Sequence, residues 1–273
     1  MPVVPVTVNQ TEARLILDIG AEHTMLLASF VDRIGLKRDF RHALMLRGIG
    51  GEMATAAARP DAIVLGGLEL RRPFVIVGLF SAGDLPGSLP DGLLGADFLS
   101  RFDVDIDFPR GWVTLYDACP DGRPHWDQPY TVLPAQLDRW RFVVPLTVDG
   151  ATVTVMLDTG SEYSLISARA AAAAGVKAAA LARDPPMRFA VVGPDRVTAR
   201  VHPFRELRIG AESFSAPVLP VLPMPQTGVD GLLGMDYLRR NRLFLSYGSG
   251  RVFIAPAPAP APAPAPLAAA APG

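Results

Sequence analysis

A lone cysteine, Cys119, cannot close a disulfide within the chain, so a bridge-stapled scaffold is excluded while the redox compartment stays open. Histidine is scarce too: His23, His42, His125 and His202 are far apart, and none stands in a His-Glu-x-x-His arrangement or near the cysteine. Metal chemistry is therefore unsupported, and no metal or other cofactor is expected. Nor is there an excess of either charge. With 26 basic and 27 acidic side chains the formal net charge is -1, which leaves nothing to hold a nucleic-acid backbone. Apolar runs are broken by charge, Gly or Pro well short of the roughly eighteen residues a spanning helix needs, so no membrane segment is expected. The opening MPVVPVTVNQ lacks a basic region followed by an apolar one. Localisation is left as cytoplasmic by default, and periplasmic or secreted if the N-terminus is processed. The strained Gly-x-Ser-x-Gly turn of a serine hydrolase is missing. The run Arg47-Gly48-Ile49-Gly50-Gly51 lacks the Gly-Lys-Ser/Thr ending of a phosphate loop.

Proline and glycine, by contrast, are plentiful, at 27 and 25, in a chain of 273 residues that is 49% hydrophobic and so too apolar to be disordered throughout. Much of the proline lies at the end, where APAPAPAPAPAPLAAAAPG from Ala255 offers no large side chain to bury. Internal repetition organises the rest. Leu15-Ile-Leu-Asp-Ile-Gly-Ala-Glu-His-Thr24 is echoed by Val155-Met-Leu-Asp-Thr-Gly-Ser-Glu-Tyr-Ser164, a shift of 140 residues. Asp91-Gly-Leu-Leu-Gly-Ala-Asp-Phe-Leu-Ser-Arg101 is echoed by Asp230-Gly-Leu-Leu-Gly-Met-Asp-Tyr-Leu-Arg-Arg240, a shift of 139 with eight of eleven positions identical. Two matched blocks in one order at nearly one offset indicate a duplicated domain. The expected division is a first lobe over 1–118, a linker over 119–137, a second lobe over 138–254 and a Pro/Ala-rich tail over 255–273.

Each copy reads as mostly β with a few short helices. Strands are expected at Val3–Val8 and Arg14–Leu17, and again at Phe142–Val148 and Ala151–Leu157 around the hairpin pair Asp149-Gly150. Helices are expected from Ala28 to Ile34 and from Ala168 to Ala174, closed by Gly35 and Gly175. Further strands are expected at Ala62–Leu65, Phe74–Val77, Val104–Phe108 and Trp112–Tyr116, and at Val201–Ile209, Ser213–Leu219, Leu243–Tyr247 and Arg251–Ile254. In and around the linker, Trp126, Tyr130, Trp140 and Phe142 are candidates to pack the two halves into one body.

The chemistry left standing is a pair of carboxylates. Asp18 and Asp158 each end an apolar strand and precede a Gly that permits a tight turn. If a pseudo-twofold axis relates the copies, the two loops can meet there. Two carboxylates within hydrogen-bond reach cannot both ionise cheaply and would share one proton, so one can act as base toward water while the other polarises a carbonyl. A single Asp-x-Gly is ordinary turn chemistry; its duplication behind an apolar strand is what points to catalysis.

These residues resemble a retropepsin-type aspartic protease, a short Asp-Thr/Ser-Gly domain that normally dimerises, here with two such domains in tandem. Asp158-Thr159-Gly160-Ser161-Glu162-Tyr163-Ser164 is similar to the family's catalytic loop, and Asp18-Ile19-Gly20-Ala21-Glu22-His23-Thr24 matches it with one departure. Leu93-Leu94-Gly95 and Leu232-Leu233-Gly234 match the second signature, which passes behind the catalytic loops and supports them. The resemblance implies an acid-protease fold with two pseudo-twofold-related β lobes and a cleft between them. It also implies an endopeptidase taking a peptide or protein substrate. A β-hairpin flap belongs between the signatures: Gly48, Ile49 and Gly50 fit its tip in the first copy, and Val191–Arg196, with Gly193 at its tip, in the second. Glu22 and Glu162 fall where the family carries an acidic group for substrate or for anchoring the loop. Thr24 and Ser164 would buttress the loops, while Asp91, Asp230, Asp97 and Asp236 read as structural.

The departure is Ile19. In the family the loop threonine locks reciprocally with its counterpart; Thr159 has the hydroxyl, and Ile19 does not. Either the dyad works with half a lock or one lobe has become structural, which would leave a non-catalytic peptide- or protein-binding module. One chain supplies both half-sites, so a monomer is expected, the other stoichiometry being a homodimer in which Thr159 meets its own copy.

Overall fold

The structure is a computed structural model that describes residues 1–49, 51–79, 90–117, 121–189, 197–224 and 228–256. Gly50, Cys119, the second flap with Gly193, and the tail beyond Pro256 lie outside the described residues.

The first lobe runs β1 (Val3–Val8), β2 (Thr11–Leu17), β3 (Met25–Leu27), α1 (Ala28–Arg33), β4 (Arg38–Gly48), β5 (Gly51–Ala58), β6 (Ala62–Leu65), β7 (Leu68–Arg71), β8 (Val75–Gly78), β9 (Gly92–Leu94), α2 (Ala96–Leu99), β10 (Asp103–Asp107) and β11 (Trp112–Tyr116). After β12 (Thr131–Leu133) and β13 (Gln136–Asp138), the second repeats it: β14 (Arg141–Val148), β15 (Ala151–Leu157), β16 (Leu165–Ser167), α3 (Ala168–Ala173), α4 (Ala178–Leu181), β17 (Pro186–Phe189), β18 (Val197–Pro203), β19 (Glu206–Ile209), β20 (Glu212–Ser215), β21 (Val218–Leu222), β22 (Gly231–Leu233), α5 (Met235–Leu238), β23 (Asn241–Ser246) and β24 (Arg251–Pro256).

Both lobes open with a hairpin whose two-residue turn needs positive φ. Asn9 and Gln10 supply it at 47° and 68°, and Asp149 and Gly150 at 48° and 87°. Alternation then decides which face is buried: Ala13, Leu15 and Leu17 go inward on β2, and Val153, Val155 and Leu157 on β15. The strand leading to each Asp pairs in parallel with the Gly-Leu-Leu strand, Leu17 with Leu94 and Leu157 with Leu233. The lobe sheets have matching orders, β4-β5-β8-β3-β9-β2-β1-β6-β7 and β17-β18-β21-β16-β22-β15-β14-β19-β20.

A third sheet joins them, in the order β11-β10-β23-β24-β12. At its centre β10 pairs antiparallel with β23, and Asp105 lies opposite Phe244. Those two are equivalent under the same shift, 244 − 105 = 139, that relates the signature blocks, so the pseudo-twofold axis passes through this pair. One continuous apolar core runs from β1 of the first lobe to β24 of the second.

Several expected boundaries move. Val201–Ile209 is two strands, because the Asp149 carboxylate takes the N–H groups of Arg205 and Glu206 and turns the chain there. Ser213–Leu219 breaks likewise at Ala216, at φ 51°, followed by Pro217, which has no N–H to offer a ladder. Residues 119–137, expected as a linker, carry β12 and part of β13, and β12 closes the edge of the joining sheet on β24. Trp126 packs on Phe244 at 6.2 Å, with the Arg242 guanidinium 4.8 Å over its ring and its Nε1 donating to Asp105 at 2.8 Å, so it bridges strands of both lobes. Tyr130 packs on Phe253 and Phe142 on Tyr247, whereas Trp140 is exposed. Among the described residues no helix is long and apolar enough to cross a membrane.

Candidate active site

Each lobe aims its Asp with backbone alone. The Asp18 N–H donates to the Leu94 carbonyl at 3.0 Å and the Asp158 N–H to that of Leu233 at 3.0 Å, so the second-signature strand fixes where each loop starts. The loop then folds onto its own carboxylate. Gly20 and Ala21 donate to Asp18 Oδ1 at 2.9 and 3.0 Å, and Gly160 donates to Asp158 Oδ1 at 2.8 Å.

Beneath each loop sits a staple. Thr24 Oγ1 donates to Asp97 Oδ1 at 2.7 Å and accepts from the Gly95 N–H at 3.1 Å; Ser164 Oγ donates to Asp236 Oδ1 at 2.6 Å and accepts from the Gly234 N–H at 3.0 Å. The glycines are required by close approach, since a Cβ on Gly95 would lie 2.6 Å from the His23 carbonyl carbon and one on Gly234 2.5 Å from that of Tyr163. Asp91 and Asp230, further out, accept from the Arg14 and Thr154 N–H groups at 2.9 and 3.0 Å and pair with Arg33 and Arg169.

The two loops meet at the axis. A Cβ on Gly20 would lie 2.6 Å from Asp158 Cγ, and one on Gly160 would overlap the Asp18 carboxylate, so each glycine leaves room for the opposite acid. The two carboxyls thus face each other at the axis, close enough that the Asp158 charge raises the cost of ionising Asp18. Asp18 is buried and Asp158 half-buried. Burial foremost, then the Asp158 charge, pushes Asp18 up to about 8 against the opposing pull of its loop N–H groups. Burial also raises Asp158, to about 6, but the Gly160 and Ser161 N–H groups, the hydrogen bond from Asp18 and the Arg141 guanidinium hold it lower. The pair therefore shares one proton, and the deeper burial of Asp18 favours holding it there.

The lock is half-built. Thr159 Oγ1 accepts from the Ile19 N–H at 3.0 Å and donates to the Leu17 carbonyl at 2.5 Å, tying the second loop into the first. Ile19 is fully buried and returns neither bond, and among the described residues the buried Thr159 N–H has no acceptor. Sequence reasoning overlooked two neighbours of the dyad. Arg141 enters from β14, held by Asp138 at 2.7 Å, and its charge acts on Asp158. Tyr247, just past β23, is buried with a hydroxyl that has no partner among the described residues, and its pKa is raised by that burial and by the Asp18 charge. No local motif marks either residue; only the fold brings them to the axis.

The remaining candidates separate. The segment expected as the first flap is the β4–β5 hairpin, with Gly48 and Ile49 at its turn. Ile49 reaches the second lobe, packing with Met156, Phe189, Val197 and Met224 around Leu165, Ala199, Leu222 and Leu232. Glu22 pairs across the lobes with Arg139 at 3.4 Å, whereas Glu162 is exposed. Among the described residues no cluster of three His, Cys, Asp or Glu is placed to hold a metal ion.

A family model described as aspartyl protease matches residues 4–98 and 144–237, one match to each lobe. No curated protein matches the sequence. Among solved structures, the chain is similar to a retropepsin-like aspartic protease from Rickettsia conorii, at 17% identity over 46% of this chain and 89% of that one, with a TM-score of 0.36.

Proposed function

The chain belongs to the aspartyl protease family, which matches it over both lobes, and from that premise we propose that it is an endopeptidase whose single active site is the Asp18–Asp158 dyad. The observation that carries this reading is the close approach of two carboxyls contributed by two repeats, each lying against the glycine of the other's loop. A water between them loses a proton to the Asp158 carboxylate as its oxygen bonds to the scissile carbonyl carbon, and protonated Asp18 gives its proton to the carbonyl oxygen. Asp158 then passes the proton it took to the leaving nitrogen, the C–N bond breaks, and the gem-diol returns a proton to Asp18. The dyad ends as it began. With one proton shared by the pair, one acid and one base stand ready before substrate arrives, and the deeper burial of Asp18 favours it as the acid. The first flap hairpin, whose Ile49 already touches the second lobe, supports a lid closing over a bound peptide.

The test is digestion of a diverse peptide library by the purified chain, read by mass spectrometry across pH 4 to 9. Internal cleavage, strongest near neutrality, is the expected result. An untouched library over that range contradicts the proposal and moves the weight to a peptide-binding module.

A further inference from the structure

Six strands end the three sheet orders: β4 and β7, β17 and β20, β11 and β12. An outer strand turns alternate N–H and C=O groups away from its one neighbour and so invites another strand; charge, proline, a bulge or brevity discourages it. Five of the six are protected in this way. β4 breaks register between Asp39 and Leu44, β7 carries Glu69 and Arg71, β17 carries Pro186 and Arg188, β20 carries Glu212, and β12 is three residues long and followed by Pro134. β11 has none of these devices. Trp112–Tyr116 is uncharged, lacks proline and keeps unbroken register with β10.

The pseudo-symmetry shows what this edge is missing. The 139-residue shift carries Trp112–Tyr116 onto residues 251–255 of β24, whose outer side is covered by β12. Among the described residues no strand stands at the equivalent place beside β11. Val113 and Leu115 pack against the apolar core, while Trp112, at 70% exposure, and Thr114 border a hollow with Asp107 and Arg110 on the other face.

The strand is also complementary to itself. Trp-Val-Thr-Leu-Tyr reads aromatic, aliphatic, Thr, aliphatic, aromatic in either direction. Laid antiparallel to a copy about Thr114, it sets Trp112 opposite Tyr116, Val113 opposite Leu115 and Thr114 opposite Thr114, which are cross-strand pairs of the kind that stabilise a sheet. The charges at its ends match too. Exposed Asp117 of one copy would come opposite Gly111 of the other, beside Arg110, whose guanidinium is bound to Asp107 at 2.7 Å and remains 56% exposed.

We propose that β11 is a self-association edge, along which two copies of the chain pair antiparallel about a twofold axis at Thr114 and join their β11-β10-β23-β24-β12 sheets into one. The dyad is complete within each chain, so this contact differs from a homodimer in which Thr159 meets its own copy. It stands whether or not the chain cleaves peptides. A seam one strand long lies at the small end of specific interfaces, so half-association is expected on the order of 10–100 µM.

Sedimentation equilibrium of the purified chain, over about a hundredfold range of concentration around that value, reads the contact directly. The expected result is a mass that climbs from one chain toward two. T114K and T114E each set like charges face to face at the axis and should stay at one chain throughout. An equal mixture of the two variants should associate again, because opposite charges then meet there. That recovery also shows that both variants are folded. A parent that remains at one chain, an association that T114K leaves intact, or a mixture that fails to associate overturns the inference.

Discussion

Thr159 is the residue on which the two loops depend most. Its hydroxyl satisfies both the Ile19 N–H and the Leu17 carbonyl, so T159V would leave two buried backbone groups unpaired, at about 2–3 kcal/mol of stability. Denaturant unfolding should register that loss, together with a fall in kcat of about a hundredfold as the loops lose register. Stability unchanged in T159V would mean that the bridge carries no weight. Tyr247 makes the opposite case. Its buried hydroxyl lacks a partner among the described residues, and the equivalent position 139 residues earlier is Phe108. Y247F should therefore raise stability by about 1 kcal/mol, seen as a higher Tm; a lower Tm would reveal a partner for the hydroxyl. At this scale the sequence was informative wherever a residue repeats. Asp18 and Asp158, and Thr24 and Ser164, could be found by comparing the chain with itself. Arg139 and Tyr247 could not, because what matters about them is a neighbour more than a hundred positions away, nor could Arg141, whose approach to Asp158 is set by the pairing of β14 with β15.

Among the elements, the loop-support staples show how a short signature acts. Ser164 joins the Gly234 N–H to Asp236 through one hydroxyl. S164A would strand a buried donor, costing about 1–3 kcal/mol. Thermal unfolding of S164A measures this, and S164T, which keeps the hydroxyl, should recover most of the loss. If S164A and the parent melt together, the staple is incidental. Hairpins and helix ends were legible because Asp149-Gly150, Gly35 and Gly175 state their backbone needs outright, with φ at 48°, 87°, 65° and 89°. The three-residue strands Met25–Leu27, Gly92–Leu94, Leu165–Ser167 and Gly231–Leu233 were not. Each is buried throughout, so it shows no alternation, and its pairing is set by the sheet around it.

For the whole molecule, duplication was the strongest signal in the sequence, but the way the repeats meet was not written there. The register that sets Asp105 opposite Phe244 places the axis, and the strand β12 inside the expected linker closes the joining sheet. That geometry buries two carboxyls together and makes stability depend on pH. Both folded pKa values lie above the ordinary value of 3.8, at about 8 for Asp18 and about 6 for Asp158. A raised carboxyl favours the fold while protonated, so its contribution is complete below about pH 4 and is lost as pH rises through 6 and then 8. The dyad's share of Tm should accordingly decline from pH 5 to 9 in the parent and decline less in D18N, while kcat/KM should peak between about pH 6 and 8, where the pair holds one proton. An optimum near pH 4 would refute that ordering. The central claim is that one chain holds one site made from both lobes, and the most direct measurement is peptide cleavage by the parent, D18N and D158N at equal concentration. The account predicts activity in the parent and its loss in both variants. Cleavage that persists in D18N would contradict it, since the second lobe would then be completing its site without the first.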